Sequence, residues 1–126
     1  MSSPLIAGND IRNMTPETLE ILTNKEVIAI NQDPMGIQGT RYKKDSRKEV
    51  WAKPLADGSY AVVLFNRNIL PRNISFKFSD LKLEWNKAKV RDLWRHENLG
   101  FFNDSFQVKV EGRSAVMVKI SNSDSK

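Results

Sequence analysis

Between Lys25 and Gly39 the chain reads KEVIAINQDPMGIQG, and the spacing of its apolar residues changes across that run. Upstream, Leu19, Ile21 and Leu22, then Val27, Ile28 and Ile30, recur at helical intervals. Downstream, apolar and polar residues alternate with period two almost to the end. Pro34 has no N–H to donate and its ring collides with the preceding turn, so no helix continues through it. Gly36 and Gly39 then let the chain change direction. The sequence is therefore helical first and β afterwards, joined at one place.

Taken in order, Pro4–Ala7 (PLIA) is a short unbroken apolar run closed by Gly8-Asn9-Asp10, which predicts a strand covered on both faces. Thr15-Pro16-Glu17 predicts a helix start: a capping hydroxyl, a proline where no N–H is needed, and an acid at the positive end of the dipole. Asn24 is placed to cap a second short helix whose buried positions are Val27, Ile28 and Ile30. From Ile37 the chain predicts strands. Glu49–Pro54 and Tyr60–Asn66 pair around Asp57-Gly58, and Ile74, Phe76 and Phe78 alternate with polar residues. Leu81 and Leu83 plug the end of the core, and strands follow at Ala88–Trp94, Phe101–Val110 and Ala115–Ile120. The predicted fold is mainly β, an antiparallel β-sandwich of seven to eight strands preceded by one strand and one or two short helices. The expected division is 1–36, then the sandwich 37–121, then a polar tail 122–126.

Composition removes several classes of chemistry. With no cysteine there is no disulfide, thiolate metal site or cysteine nucleophile, and the single histidine, His96, excludes a multi-histidine metal site. The net charge of +5 raises the question of nucleic acid, but the one dense basic cluster, Arg41, Lys43, Lys44, Arg47 and Lys48, is interrupted by Asp45 and Glu49 and reads as a solvated hairpin end. No apolar run approaches the ~20 residues that span a bilayer, and the first eight residues lack the basic start and long apolar core of a signal peptide.

The remaining candidates have ordinary structural readings. Glu17 and Glu20 stand three apart on one helical face and read as a dipole-favoured first turn and a solvated face. Asp10 ends the predicted strand and reads as an Asx-type turn residue, although such a place also suits an active-site loop. His96 falls in a turn, where it serves as a surface hydrogen-bonding residue. Trp51, Trp85 and Trp94 would suit a sugar-stacking platform; the competing reading is that Trp51 and Trp94 pack and only Trp85 is exposed. Three glycosylation sequons begin at Asn13, Asn73 and Asn103, and Pro16 makes the first a poor acceptor.

Read together, PLIAGNDIRNMTPETLEILTNKEVIAINQDPMGIQG resembles the end of the catalytic barrel in melibiase-type α-galactosidases of glycoside hydrolase family twenty-seven. The likeness continues through VWAKPLADGSYAVVLFNR and through VRDLW, followed by His96 and Leu99-Gly100. It implies that residues 1–36 are the last strand and helices of a (β/α)₈ barrel and that the sandwich is the family's accessory domain. The family's nucleophile and acid/base aspartates lie on earlier barrel strands, so the resemblance assigns no catalytic, substrate-binding or metal-ligating residue here, and no cofactor. The expected function is that of a C-terminal portion of a retaining α-galactosidase, inactive alone, with an internal methionine accounting for Met1. The alternative is a free-standing carbohydrate-binding sandwich. The expected partner of the intact enzyme is an α-galactoside, with neither nucleic acid nor membrane, and self-association through the uncovered strand and helix. The family resemblance leans towards secretion.

Overall fold

The computed structural model describes residues 2–123. Two short helices, α1 (Pro16–Thr23) and α2 (Lys25–Asn31), precede eight strands: β1 (Thr40–Asp45), β2 (Lys48–Pro54), β3 (Tyr60–Asn66), β4 (Arg72–Lys77), β5 (Lys87–Asp92), β6 (Glu97–Asn103), β7 (Ser105–Val110) and β8 (Ser114–Asn122). Six form an antiparallel sheet in the order β1-β2-β3-β8-β5-β6, and β4 and β7 form a second, two-stranded sheet. The expected mainly-β sandwich is what the structure shows.

Alternation builds the core. Val50, Ala52, Val62, Leu64, Ala88, Val90, Val118 and Ile120 project from one face of the large sheet. They meet Ile74, Phe76, Phe106 and Val110 of the small sheet, and a 3₁₀ turn, Phe78–Leu81, closes the end with Phe78 and Leu81. Asn66, at the end of β3, is fully buried. Its Nδ2 donates to the carbonyls of Leu70, Val110 and Glu111 at 3.0, 3.0 and 3.1 Å, and its Oδ1 accepts from the Asn68 amide and side chain. It ties the β3–β4 loop to the β7–β8 turn, where Gly112 lies against the Ile69 carbonyl. Both outer edges of the large sheet are irregular: β1 carries a bulge between Arg41 and Lys43 and is exposed along its length, and β6 shifts register opposite Val90 and Arg91. Charge and bulges of this kind discourage edge-to-edge pairing.

Four expectations change. Pro4–Ala7 forms no strand; Leu5 and Ile6 are 61% and 87% exposed, because no neighbouring strand supplies partners for their backbone. The predicted strand Phe101–Val110 is two strands, β6 and β7. Asp104 at φ +58° carries the chain from the large sheet to the small, and Phe102 and Phe106 meet edge to face across the corner, 4.9 Å apart. The strand expected over Ala88–Trp94 ends at Asp92, whose carboxylate accepts the amides of Trp94 and Arg95 and starts a turn. At the C-terminus β8 runs through Asn122, one residue into the expected tail; residues 124–126 lie outside the described residues.

Candidate functional site at the helix–sheet junction

The sandwich core fills one face of the large sheet, and α2 lies on the other. Ile30, with Val27 beside it, packs on Leu55, Ala61, Leu93 and Met117. In the register Ala61 and Met117 alternate with the core residues Val62 and Val118. Asn24 makes this placement possible. Its Oδ1 caps α2 by accepting from the Glu26 and Val27 amides, and its Nδ2 donates to the Leu93 carbonyl at 3.0 Å, so one buried side chain both starts the helix and fastens it to the sheet. At the other end, Asp33 accepts from the Met35 amide and, at 3.0 Å, from the Ala56 amide of the β2–β3 loop, while Gly36 turns at φ +64°.

The charged centre of the junction is Glu26. Arg91, on β5, grips it bidentately, Nε to Oε2 at 2.6 Å and Nη2 to Oε1 at 2.7 Å, and His96 brings Nδ1 to 2.7 Å from Oε1. Arg91 also donates to Asn98 Oδ1 at 3.2 Å. The Arg91 guanidinium, with a smaller contribution from His96, holds the Glu26 carboxyl at about 2, well below its ordinary 4.5, and Glu26 in turn raises Arg91. A carboxyl this acidic has no proton to give at neutral pH, and its oxygens are committed to Arg91 and His96. Its chemistry is that of a clamp.

The ion pairs of Glu49 and Asp57 stand apart from it. Glu49, buried on β2, accepts from Trp51 Nε1 at 2.8 Å and Arg67 Nε at 2.9 Å; the Trp51 bond first, then Arg67, lowers its carboxyl. Asp57 pairs with Lys119 at 2.6 Å and with the Ser59 hydroxyl, which together hold it at about 2. Among the described residues no group of three or more histidine, cysteine, aspartate or glutamate side chains is arranged to hold a metal.

The candidates read from sequence are scattered. Glu17 is exposed in the first turn of α1, lowered by its own backbone amide and then by the Thr15 hydroxyl. Asp10 is exposed, accepts from the Arg12 amide and pairs with its guanidinium at 3.0 Å. Arg41, Lys43, Lys44 and Arg47 are exposed around the end of the β1–β2 hairpin, and Lys48 pairs with Asp45. The three indoles share no platform. Trp51 lies under the Arg41 guanidinium, Trp85 packs against the core with its ring edge-on to Tyr60 at 5.9 Å, and the exposed one is Trp94, not Trp85. In the β5–β6 turn the side chain that points inward is Leu93, so its neighbour Trp94 faces out. A hollow of about 250 Å³ lies beside Trp85, lined also by Lys77, Leu83, Glu84, Asn86 and Asp104. The Glu26–Arg91–His96 cluster had no local signal in sequence, since its members lie up to 70 residues apart.

A family model described as the alpha galactosidase C-terminal beta sandwich domain matches residues 45–120. The chain belongs to the α-galactosidase family. A second model, alpha galactosidase A, matches residues 1–33, which leaves residues 34–44, beginning with PMGIQG, between the two matches. Among relatives, a probable α-galactosidase of Dictyostelium discoideum is 44% identical over 110 residues, covering 85% of this chain and 29% of its own length. Alpha-galactosidase 3 of Arabidopsis thaliana is 40% identical, covering 93% of this chain and 28% of its own. The chain thus spans under a third of the length of these relatives, and it corresponds to the family's C-terminal portion. Of solved structures, α-galactosidase I from Mortierella vinacea superposes with a TM-score of 0.90 at 30% identity, over 99% of this chain and 33% of that one. A β-L-arabinopyranosidase of the same glycoside hydrolase family from Geobacillus stearothermophilus gives 0.91 at 28% identity, over 99% and 28%.

Proposed function

We propose that this chain is the non-catalytic part of an enzyme that hydrolyses terminal α-linked galactose, and that its work is to support and orient the catalytic part. The division we propose is 1–36 with the catalytic side, and from 37 through the end of β8 at Asn122 as the sandwich. The observation that carries the reading is the contrast in burial. The sandwich core is closed, whereas Leu5, Ile6, Ile11, Leu19, Ile21 and Leu22 are all 41% exposed or more. So many exposed apolar side chains within residues 5–22 point to an interface. Its occupant in this reading is the remainder of the barrel, whose strands would also pair with Pro4–Ala7. The Glu26 clamp and the Asn24 anchor fix the sheet against the last barrel helix, transmitting the sandwich's rigidity to that surface. The substrate choice lies elsewhere, since the same sandwich accompanies relatives named for a galactosidase and for an arabinopyranosidase.

Neither a nucleic acid nor a membrane belongs to this reading, and pairing of two chains through the open helix face competes with it. The purified chain should release no phenol from an aryl α-galactoside above buffer. A chimera carrying this chain in place of the matching part of the Mortierella enzyme should hydrolyse it. Turnover by the chain alone, or a folded but inactive chimera, would overturn the proposal. A second reading, sugar binding by the sandwich, is favoured by the hollow beside Trp85, where an indole stands among carboxylate and amide groups. Calorimetric titration with galactose, lost in Trp85→Ala, supports that reading; no saturable heat removes it.

A further inference from the structure

We propose that Asn73 and Asn103 are acceptor sites for N-linked glycans, and that Asn13, although it begins a matching triplet, is not. The three triplets, Asn13-Met14-Thr15, Asn73-Ile74-Ser75 and Asn103-Asp104-Ser105, are equivalent as patterns. The structure separates them. Asn73 and Ser75 lie two apart on β4, both exposed, on the outer face of the small sheet. Opposite them on β7 stand Lys109 and Gln107, also exposed, so the whole face is polar. Asn103 and Ser105 flank the corner at Asp104, where the backbone turns at φ +58°, and both are exposed. Neither asparagine amide, nor the hydroxyl of Ser75 or Ser105, makes a side-chain hydrogen bond among the described residues. This contrasts with Asn24, Asn31, Asn66, Asn68 and Asn98, whose side chains are all engaged. A glycan on either free amide therefore displaces no contact.

At Asn13 the third residue is Thr15, followed by Pro16, which restricts the residue before it to extended backbone; Thr15 sits at φ −69°, ψ 156°. That restriction is local and holds before the chain folds; in the folded chain the Thr15 hydroxyl caps α1, accepting the Thr18 amide at 3.2 Å.

The co-reactant is a lipid-diphosphate-linked oligosaccharide. The asparagine Nδ2 forms a bond to C1 of its first N-acetylglucosamine, and the C1–oxygen bond breaks. The lipid diphosphate leaves with the electron pair, and an amide proton passes to base. The position of the two sites also fits the architecture. The small sheet covers one face of the large sheet and α2 the other. A glycan on Asn73 consequently projects away from the apolar helix face, which stays open for protein contact.

The experiment is secretion of the full chain from a eukaryotic host behind a cleavable leader, followed by peptide N-glycosidase, gel mobility and peptide mass spectrometry. Two mobility steps are expected, with Asn73 and Asn103 converted to aspartate on glycan release. Asn73→Gln and Asn103→Gln each remove one step, and Asn13→Gln leaves the pattern unchanged. Transfer to the chain precedes folding, so a destabilised variant still reports. A chain without glycan, a single occupied site, or a step lost in Asn13→Gln would overturn the assignment.

Discussion

Asn66 offers the sharpest test of how the two ends of the sandwich are held. Replacing it with alanine removes two N–H groups shared among three carbonyls, and the oxygen that accepts twice from Asn68. The Val110 carbonyl is buried and would be orphaned, which costs ~2 kcal/mol, whereas the Leu70, Glu111 and Asn68 groups are partly buried and reach water, losing ~0.5 kcal/mol each. Asn66→Ala should therefore lose about 3–4 kcal/mol, a large part of the ~5–15 kcal/mol that holds a domain of this kind together. Asn66→Asp separates hydrogen bonding from cavity formation, because it preserves shape and the acceptor for Asn68 but turns an oxygen toward the three carbonyls. At pH 7 it should be at least as destabilising as alanine. Burial raises the folded-state pKa of the new acid, so its penalty should lessen as pH falls and the protonated form regains a donor. Urea unfolding followed by tryptophan fluorescence measures both, with the slope unchanged and the midpoint lowered. A loss below ~1 kcal/mol for alanine, or an aspartate variant as stable as the parent at pH 7, would refute the reasoning.

Three other outcomes follow from the same structure. A Cβ on Gly112 would lie 1.7 Å from the Ile69 carbonyl oxygen, so Gly112→Ala should cost at least the ~1–3 kcal/mol of an overpacked site, read as a lowered melting temperature. The Glu26 carboxyl is held at about 2 in the folded chain against an ordinary 4.5, so its clamp is fully present above the unfolded value and is lost as pH falls through the folded one. Hydrogen exchange in α2 should thus accelerate between those two values in the parent, and Glu26→Gln should flatten that part of the profile; an unchanged profile would count against the clamp. Leu93→Ala should cost about 2–5 kcal/mol because Leu93 is buried under α2, while Trp94→Ala next to it should cost under ~1 kcal/mol; denaturant midpoints distinguish the two.

Much of the fold is legible in the sequence wherever the physics is local. Thr15 and Asn24 cap the helices they predict, Asp57-Gly58 turns the β2–β3 hairpin, and the alternation of Ile74 with Phe76 marks a strand with one buried face. The exceptions depend on partners. Pro4–Ala7 has the composition of a buried strand, yet pairing needs neighbours, and none is present among the described residues. The break at Asp104 does have a signal, the polar run Asn-Asp-Ser between Phe102 and Phe106, which a strict reading of the period passes over. Leu93 and Trp94 are both large and apolar, and only the direction of the turn decides which is buried. The junction is the least legible part. Glu26 meets Arg91 across 65 residues, Asn24 reaches Leu93 across 69, and no pattern within a window of one element couples such positions.

The place of β8 has a consequence for synthesis. The last strand in chain order lies in the middle of the large sheet, paired with β3 on one side and β5 on the other. Until residues 114–122 have left the ribosome, the β1-β2-β3 ribbon and the β5-β6 hairpin have no common partner, and each exposes an inner edge. The domain therefore closes late and all at once, and its half-made state presents unpaired strand edges for a chaperone to shield. A frameshift or stop codon within that final strand would remove the seam of the sheet rather than trim its border.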